Sequence, residues 1–322
     1  MTTIGFHASQ EQISPSQLLR DVQRAEEAGF DAAMSSDHFF PWSERQGHSG
    51  FTFSWLGAAL ATTSFPIGSV CAPGQRYHPA VVAQATATLG EMFPGRYWVA
   101  LGAGQAMNEH ITGEKWLGQD DRRRRLEESA KIISQLHAGQ WISGHKGLVE
   151  VDDAYLYDRP ENPIPLYAAC VTEESARRAA RWAGGLITLN QAGDVQNDVL
   201  SAYRDAGGEG PAMLQIHLSW APTQAEAEEI AYGQWRSNVF GPPLDQDLPT
   251  PAHFDAAADT VPRENVLEAV WTSHSTAQHT EWIQHAVQSG FDAVYLHHVG
   301  QHQQPFIDTF GEHVLPQLRQ SS

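Results

Sequence analysis

The amino-acid sequence predicts an α/β fold, a closed (β/α)8 TIM barrel with insertions, filling residues 1–322 as a single domain. Three observations lead there. An amphipathic helix that stops at glycine and runs into a short apolar strand recurs in "SPSQLLRDVQRAEEAGFDAAMSS", "EESARRAARWAGGLITLN" and "TEWIQHAVQSGFDAVYLHHVG". The strands are near-continuous apolar runs, as in a parallel sheet covered by helices. Eight of them can be counted, and no GxGxxG follows the first, which favours a closed barrel over a doubly wound sheet.

In chain order, the expected strands cover residues 4–8, 32–36, 67–72, 97–102, 165–170, 186–190, 214–221 and 293–298. Between the first two, Ser14 is placed to cap a helix and Pro15 suits its first turn. Leu18, Val22 and Ala25 keep helical spacing until Gly29 supplies a left-handed stop. Two segments break the rhythm. "WISGHKGLVEVDDAYLYD" alternates like a hairpin, and "GPPLDQDLPTPAHFDAAADTVP" reads as a long loop of the kind that lids a site.

Against 38 acidic residues stand 20 basic ones, a formal net charge of -18, so the chain should repel nucleic acid and anionic membranes. The run Arg122, Arg123, Arg124 and Arg125 follows two aspartates and reads as the solvated face of a helix. "MTTIGFHAS" enters a strand at once and has no secretory pattern, and no apolar run approaches the ~20 residues that span a bilayer. A soluble, cytoplasmic protein is expected. Cys71 and Cys170 lie in separate apolar strands and read as small core residues.

A barrel of this kind carries its chemistry just past the C-terminal ends of its strands. Those positions hold His7; Asp37, His38 and Trp42; "APGQRYHP"; "GAGQAMNE"; "CVTEE"; "NQAGD"; and "HH" with His302. His38 is a side chain that can exchange a proton near neutral pH, and Asp37 could tune its ring or bind a donor. Trp42 could wall a planar ligand, and the walls could extend to Trp55, Trp220 and Phe240. His297, His298 and His302 suggest a metal, but adjacent strand residues point to opposite faces, so none is expected.

"SSDHFFPW", "SVCAPGQRYHPAVVAQATATL" and "GAGQAMNE", in this order and spacing, resemble the luciferase-like superfamily of flavin and coenzyme F420 enzymes. Within it they are similar to the branch of the F420-dependent glucose-6-phosphate dehydrogenases, and the likeness spans nearly the whole chain. The resemblance implies an isoalloxazine-type ring across the barrel mouth. It would be held by Asp37, Ser69, Val70, Ala72, Ala103, Gly104, Asn108, Cys170, Val171 and Thr172. It further implies a non-prolyl cis peptide at Ser69–Val70, catalytic roles for His38, Trp42 and Gln105, a small-molecule substrate and a homodimer.

The departures from the branch shape the expected function. Gln105 stands where the sugar-phosphate dehydrogenases carry a proton-donating glutamate, and an amide cannot deliver a proton. Ala192 and Ala256 replace the lysines that hold the substrate phosphate, and no lysine or arginine lies between Arg263 and Arg319. An unphosphorylated substrate follows. After strand five, Thr172 is placed to cap a helix whose first turn carries Glu173 and Glu174, which should repel a second anion. FMN, a lesser anion than F420, is therefore the expected cofactor, with Arg76, Arg177 or Arg178 near its phosphate. The expected activity is that of an FMN-dependent oxidoreductase or monooxygenase. The alternatives are an F420-dependent dehydrogenase acting on an alcohol or hemiacetal, and a flavin-binding protein that has lost turnover.

Overall fold

The computed structural model describes residues 2–320, Gln320 through its backbone alone. Eight parallel strands close a barrel: β1 (Thr3–Ala8), β2 (Ala32–Ser35), β3 (Ile67–Cys71), β4 (Tyr97–Leu101), β5 (Leu166–Ala169), β6 (Leu186–Leu189), β7 (Ala212–Ser219) and β9 (Ala293–His298). Each pairs with the next, β7 pairs with β9, and β9 returns to β1. A two-residue strand, β8 (Trp271–Thr272), pairs with the end of β7 outside the closed ring. It is too short to leave a period in the sequence.

Five expected strands ran one residue too far. Ser36, Ala72, Gly102, Cys170 and Asn190 follow the last ladder residues of β2 to β6, and all five line the cavity at the barrel mouth. They are apolar or small enough to read as strand, but they turn into the loops that carry the site.

Alternation along the strands divides the core in two. Outward residues such as Ile67, Val99, Leu214 and Leu296 pack against helix residues such as Val82, Ile133, Val199 and Ile283. Inward residues, including Met34, Trp98, Ile187, Met213 and Tyr295, fill the barrel. Two aromatic rings fit there because each faces a glycine across the ladder: Tyr295 is in register with Gly5, and Trp98 with Gly68. A Cβ on Gly68 would stand 1.9 Å from Trp98 Cε2. Gly68→Ala is therefore expected to overpack the barrel and lose about 1–3 kcal/mol, read as a lower denaturant midpoint at unchanged slope.

Helix Pro15–Glu27 forms as the spacing predicts and buries Leu18, Val22 and Ala25, and Gly29 follows it at φ 95°. The Ser14 side chain, expected to cap, makes no capping bond; its carbonyl accepts from Leu18 N at 2.9 Å and Pro15 sets the first turn. The arginine run also departs from expectation. On helix Gln119–His137, Arg124 faces outward, but Arg123 turns to the barrel mouth and Arg122 and Arg125 are each only 4% exposed. Arg122 donates to Leu117 O and to Gln246 Oε1 and lies 4.5 Å over the Trp116 ring, while Arg125 donates to Gln75 Oε1. Burial is offset by these acceptors.

The expected hairpin is present as two antiparallel bridges, Ile142↔Ala154 and His145↔Val151. The expected long loop is partly helical, with helices Leu244–Asp247 and Pro251–Ala258. Pro251 starts the second of them, and Phe254 anchors it by full burial. The Ser69–Val70 peptide is trans; among the described residues the cis bond joins Pro242 and Pro243. A trans bond keeps Ser69, Val70 and Cys71 in register with Val99, Ala100 and Leu101, whereas a non-prolyl cis bond would cost about 3–4 kcal/mol. No helix of the described residues is long and apolar enough to cross a membrane.

Candidate active site

A cavity of about 730 Å³ opens at the C-terminal ends of the barrel strands. One wall is built of small residues: Val70 in β3 and Ala72 after it, Ala103 and Gly104 after β4, Ala169 and Cys170 at the end of β5. Gly104 takes φ 82°, and a Cβ there would press on Glu109 Cγ at 3.1 Å. Side chains this short leave a flat slot. His38 and Trp42 also line the cavity, their rings edge to face at 5.3 Å, and Trp42 is braced in turn by Phe254 at 5.3 Å.

His38 Nδ1 faces Glu11 Oε1 at 2.7 Å. The other Glu11 oxygen accepts from Ser9 Oγ at 2.8 Å and Ser36 Oγ at 2.7 Å. Burial alone would raise this carboxyl, but the adjacent imidazole, its hydrogen bond and the two hydroxyls outweigh that and hold it down at about 2. Glu11 is thus a buried anion at neutral pH, and with it on the Nδ1 side, Nε2 is left for the cavity. Glu11 was absent from the expected site residues. Its signal is only that it follows β1, four residues past His7, on the same rim.

Asp37 was expected to hold the imidazole or the cofactor ring. Its carboxylate instead receives Arg76 Nη2 at 2.8 Å and the Tyr77 hydroxyl at 3.1 Å. Arg76 also donates its backbone N–H to Glu109 Oε2 at 2.6 Å, and both side chains of the Arg76–Asp37 pair are almost fully buried. Burial raises the Asp37 and Glu109 carboxyls, with Arg76 opposing. Committed in this way, Arg76 is not free to place a phosphate.

Asn108 accepts the backbone N–H groups of Phe39 and Phe40 at 2.8 and 3.3 Å, so it fixes the loop that aims His38. Its own amide donates to Gln105 Oε1 at 3.2 Å, which orients the Gln105 amide on the cavity wall. Ser69 is turned to the helix side of β3, its hydroxyl 2.8 Å from the Tyr97 hydroxyl, and its side chain does not line the cavity. Trp55 is buried in the outer core and Trp220 packs against it, so neither is a cavity wall; Phe240 is one. Cys170 and Val171 line the cavity, and burial pushes the Cys170 thiol up to about 12. Both cysteines are free and buried.

Thr172 caps helix Glu173–Ala179 as expected, in a reciprocal box with Ser175. The two glutamates behind it do not stand alone. Glu174 accepts from Arg123 at 2.6 Å, Glu173 pairs with Arg177, and Glu127 on the neighbouring helix accepts from Arg178 at 2.8 Å. Arg123 and Arg178 both line the cavity. The repulsion that favoured the smaller anion is therefore largely cancelled.

His297 faces the cavity while His298 stacks on Phe306 at 5.0 Å on the other side of β9, the opposition that strand alternation predicts. Among the described residues no group of three His, Cys, Asp or Glu side chains is arranged to hold a metal ion.

The family model of the luciferase-like monooxygenases matches residues 1–293. The F420-dependent glucose-6-phosphate dehydrogenase of Nakamurella multipartita is 35% identical over 98% of this chain and 96% of its own length. The enzyme of the same name from Beutenbergia cavernae is 33% identical over 99% and 98%. A solved F420-dependent secondary alcohol dehydrogenase, in complex with an F420-acetone adduct, superposes with a TM-score of 0.90 at 29% identity, covering 99% of each chain. A long-chain alkane monooxygenase shares the fold, with a TM-score of 0.75 at 14% identity over 99% of this chain and 91% of its own. The chain belongs to the luciferase-like monooxygenase family, and it is a (β/α)8-barrel oxidoreductase of the flavin- and F420-dependent type.

Proposed function

We propose that the chain is a coenzyme F420-dependent dehydrogenase that oxidises a small unphosphorylated alcohol or hemiacetal to the carbonyl compound. The observation that carries this reading is the Glu11–His38 pair at the cavity wall. The names of the relatives above support it, and the pairing of Glu173 and Glu174 with arginines removes the main objection to an anionic tail.

The residues present fit a deazaflavin head. The slot of Ala72, Ala103, Gly104 and Ala169 takes a flat ring, with Gln105 beside it to meet a polar edge and Asn108 fixing that amide. Arg123 and Arg178, near Thr172, meet the charged tail. When bound, the deazaflavin supplies the acceptor for the hydride that leaves the carbinol carbon. His38 takes the hydroxyl proton at Nε2 as the carbonyl forms, Glu11 steadies the resulting imidazolium through Nδ1, and Trp42 packs on the reacting molecule. Gln105 orients oxygen but transfers no proton. An intact base with its counter-charge speaks against a protein that has lost turnover.

The test is reconstitution of purified protein with F420 or with FMN, followed by alcohol under exclusion of oxygen. F420 is expected to bind and to lose its absorbance as alcohol is added. Tight binding of FMN with no binding of F420 would return the reading to a flavin oxidoreductase.

A further inference from the structure

The barrel floor beneath His38 carries an unusual set of side chains. Alternation along three adjacent strands turns His7 of β1, Gln215 and His217 of β7, and His297 of β9 into the same cavity. His7 and His297 stack at 4.2 Å, and His217 meets His297 edge to face at 5.4 Å. Trp235 closes the group, 4.5 Å from the His217 ring.

Hydrogen bonds fix the protonation of this floor. His297 Nε2 donates to Gln12 Oε1 at 2.8 Å, and the Gln12 amide passes on to Val299 O. Gln215 Nε2 donates to His217 Nε2 at 3.0 Å and reaches toward His297 Nδ1 at 3.5 Å. Both histidines are thereby held as neutral rings, His217 with its proton on Nδ1. Burial lowers His217 to about 3 and His7 to about 4. Among the described residues, His217 Nδ1–H meets no acceptor and Gln215 Oε1 meets no donor, and His7 Nδ1 is buried with no partner at all. Gln215 and His217 line the cavity, where a polar group of a bound molecule can reach that donor and that acceptor.

The open donor and the open acceptor lie on one side chain pair, the pattern that a hydroxyl satisfies with its own acceptor and donor. An anion is poorly served. None of the three floor side chains carries a positive charge at neutral pH, and the cavity-lining arginines stand on other elements: Arg76 after β3, Arg122 and Arg123 on helix Gln119–His137 and Arg178 on helix Glu173–Ala179. Glu11 adds a negative charge close to His7.

We infer that His217, Gln215 and His7 form a subsite for an uncharged hydroxyl-bearing end of the substrate, remote from the reacting carbon. The substrate class is then a neutral diol or polyol, in preference to an apolar alcohol or an anionic one. This inference rests on the dehydrogenase reading only in taking the bound molecule to be the substrate.

Three probes of one shape separate the outcomes: cyclohexanol, trans-cyclohexane-1,4-diol and trans-4-hydroxycyclohexanecarboxylate. Their dissociation constants can be read without cofactor from the quenching of tryptophan fluorescence, since Trp42 and Trp235 line the cavity. The diol should bind about 10-fold or more tightly than cyclohexanol, and the carboxylate most weakly. In His217→Phe, and in Gln215→Met should the first variant fold poorly, the ratio of diol to cyclohexanol affinity should fall to about one. Equal binding of the three probes, or an unchanged ratio in both variants, overturns the subsite. Adding F420 then tests the other claim separately: a diol preference without turnover upholds the floor and refutes the dehydrogenase, and turnover without preference does the reverse.

Discussion

His38→Ala is expected to lower kcat for alcohol oxidation by roughly 10²–10⁴, the range for loss of a positioned general base. Binding of the cofactor should change little, because the slot that takes the ring is made by Ala72, Ala103, Gly104 and Ala169 and not by the imidazole. The companion variant is Glu11→Gln. Glu11 acts through His38, 2.7 Å away, as a positioning residue, so its removal should cost less, about 10–100-fold in kcat. Glu11→Asp should restore part of the rate. Stopped-flow traces of F420 reduction would show this; a Glu11→Gln enzyme with wild-type kcat would mean that the carboxylate only holds the loop. The proposed chemistry itself would fail if His38→Ala kept wild-type kcat.

The second large effect is on stability in mild acid. Five histidines are buried as neutral rings: burial lowers His7 and His279 to about 4, His217 and His298 to about 3, and His297 well below its ordinary value. In the unfolded chain each binds a proton near its ordinary 6.5. Between that pH and the folded values the unfolded state therefore holds more protons, and stability falls as pH falls. Glu11 adds a further loss between its ordinary 4.5 and its folded value of about 2. Raised carboxyls act in the opposite sense. Asp245, pushed up to about 6 by burial, takes its proton earlier when folded, and Asp37 and Glu109 are raised as well. Histidines outnumber them above pH 5. The net expectation is a loss on the order of several kcal/mol between pH 7 and pH 5, a large share of the stability of an ordinary domain. Chemical denaturation at the two pH values measures it, and equal midpoints would contradict five buried neutral rings.

Much of the scaffold is written in local pattern. Apolar runs, glycine stops and capping residues act over a few positions, so eight strands, the helix that stops at Gly29 and the Thr172 cap could be read directly from the chain. The small residues of "VCA" and "GAG", which the resemblance alone placed at the ring, do line the cavity.

Partnership is different, since it joins residues that are distant in the chain. Glu11 meets His38 across 27 positions, Arg76 meets Asp37 across 39, and Glu174 meets Arg123 across 51. From the sequence alone Asp37 looked like the partner of the imidazole, Arg76 like a free cation and Glu173 and Glu174 like bare charges. The sequence by itself therefore determined the barrel, its rim and the chemical types on it. Only the tertiary structure decided which charges cancel, which histidines stay neutral and which donors remain open, because an ionisable group's state depends on burial and on partners brought close by folding.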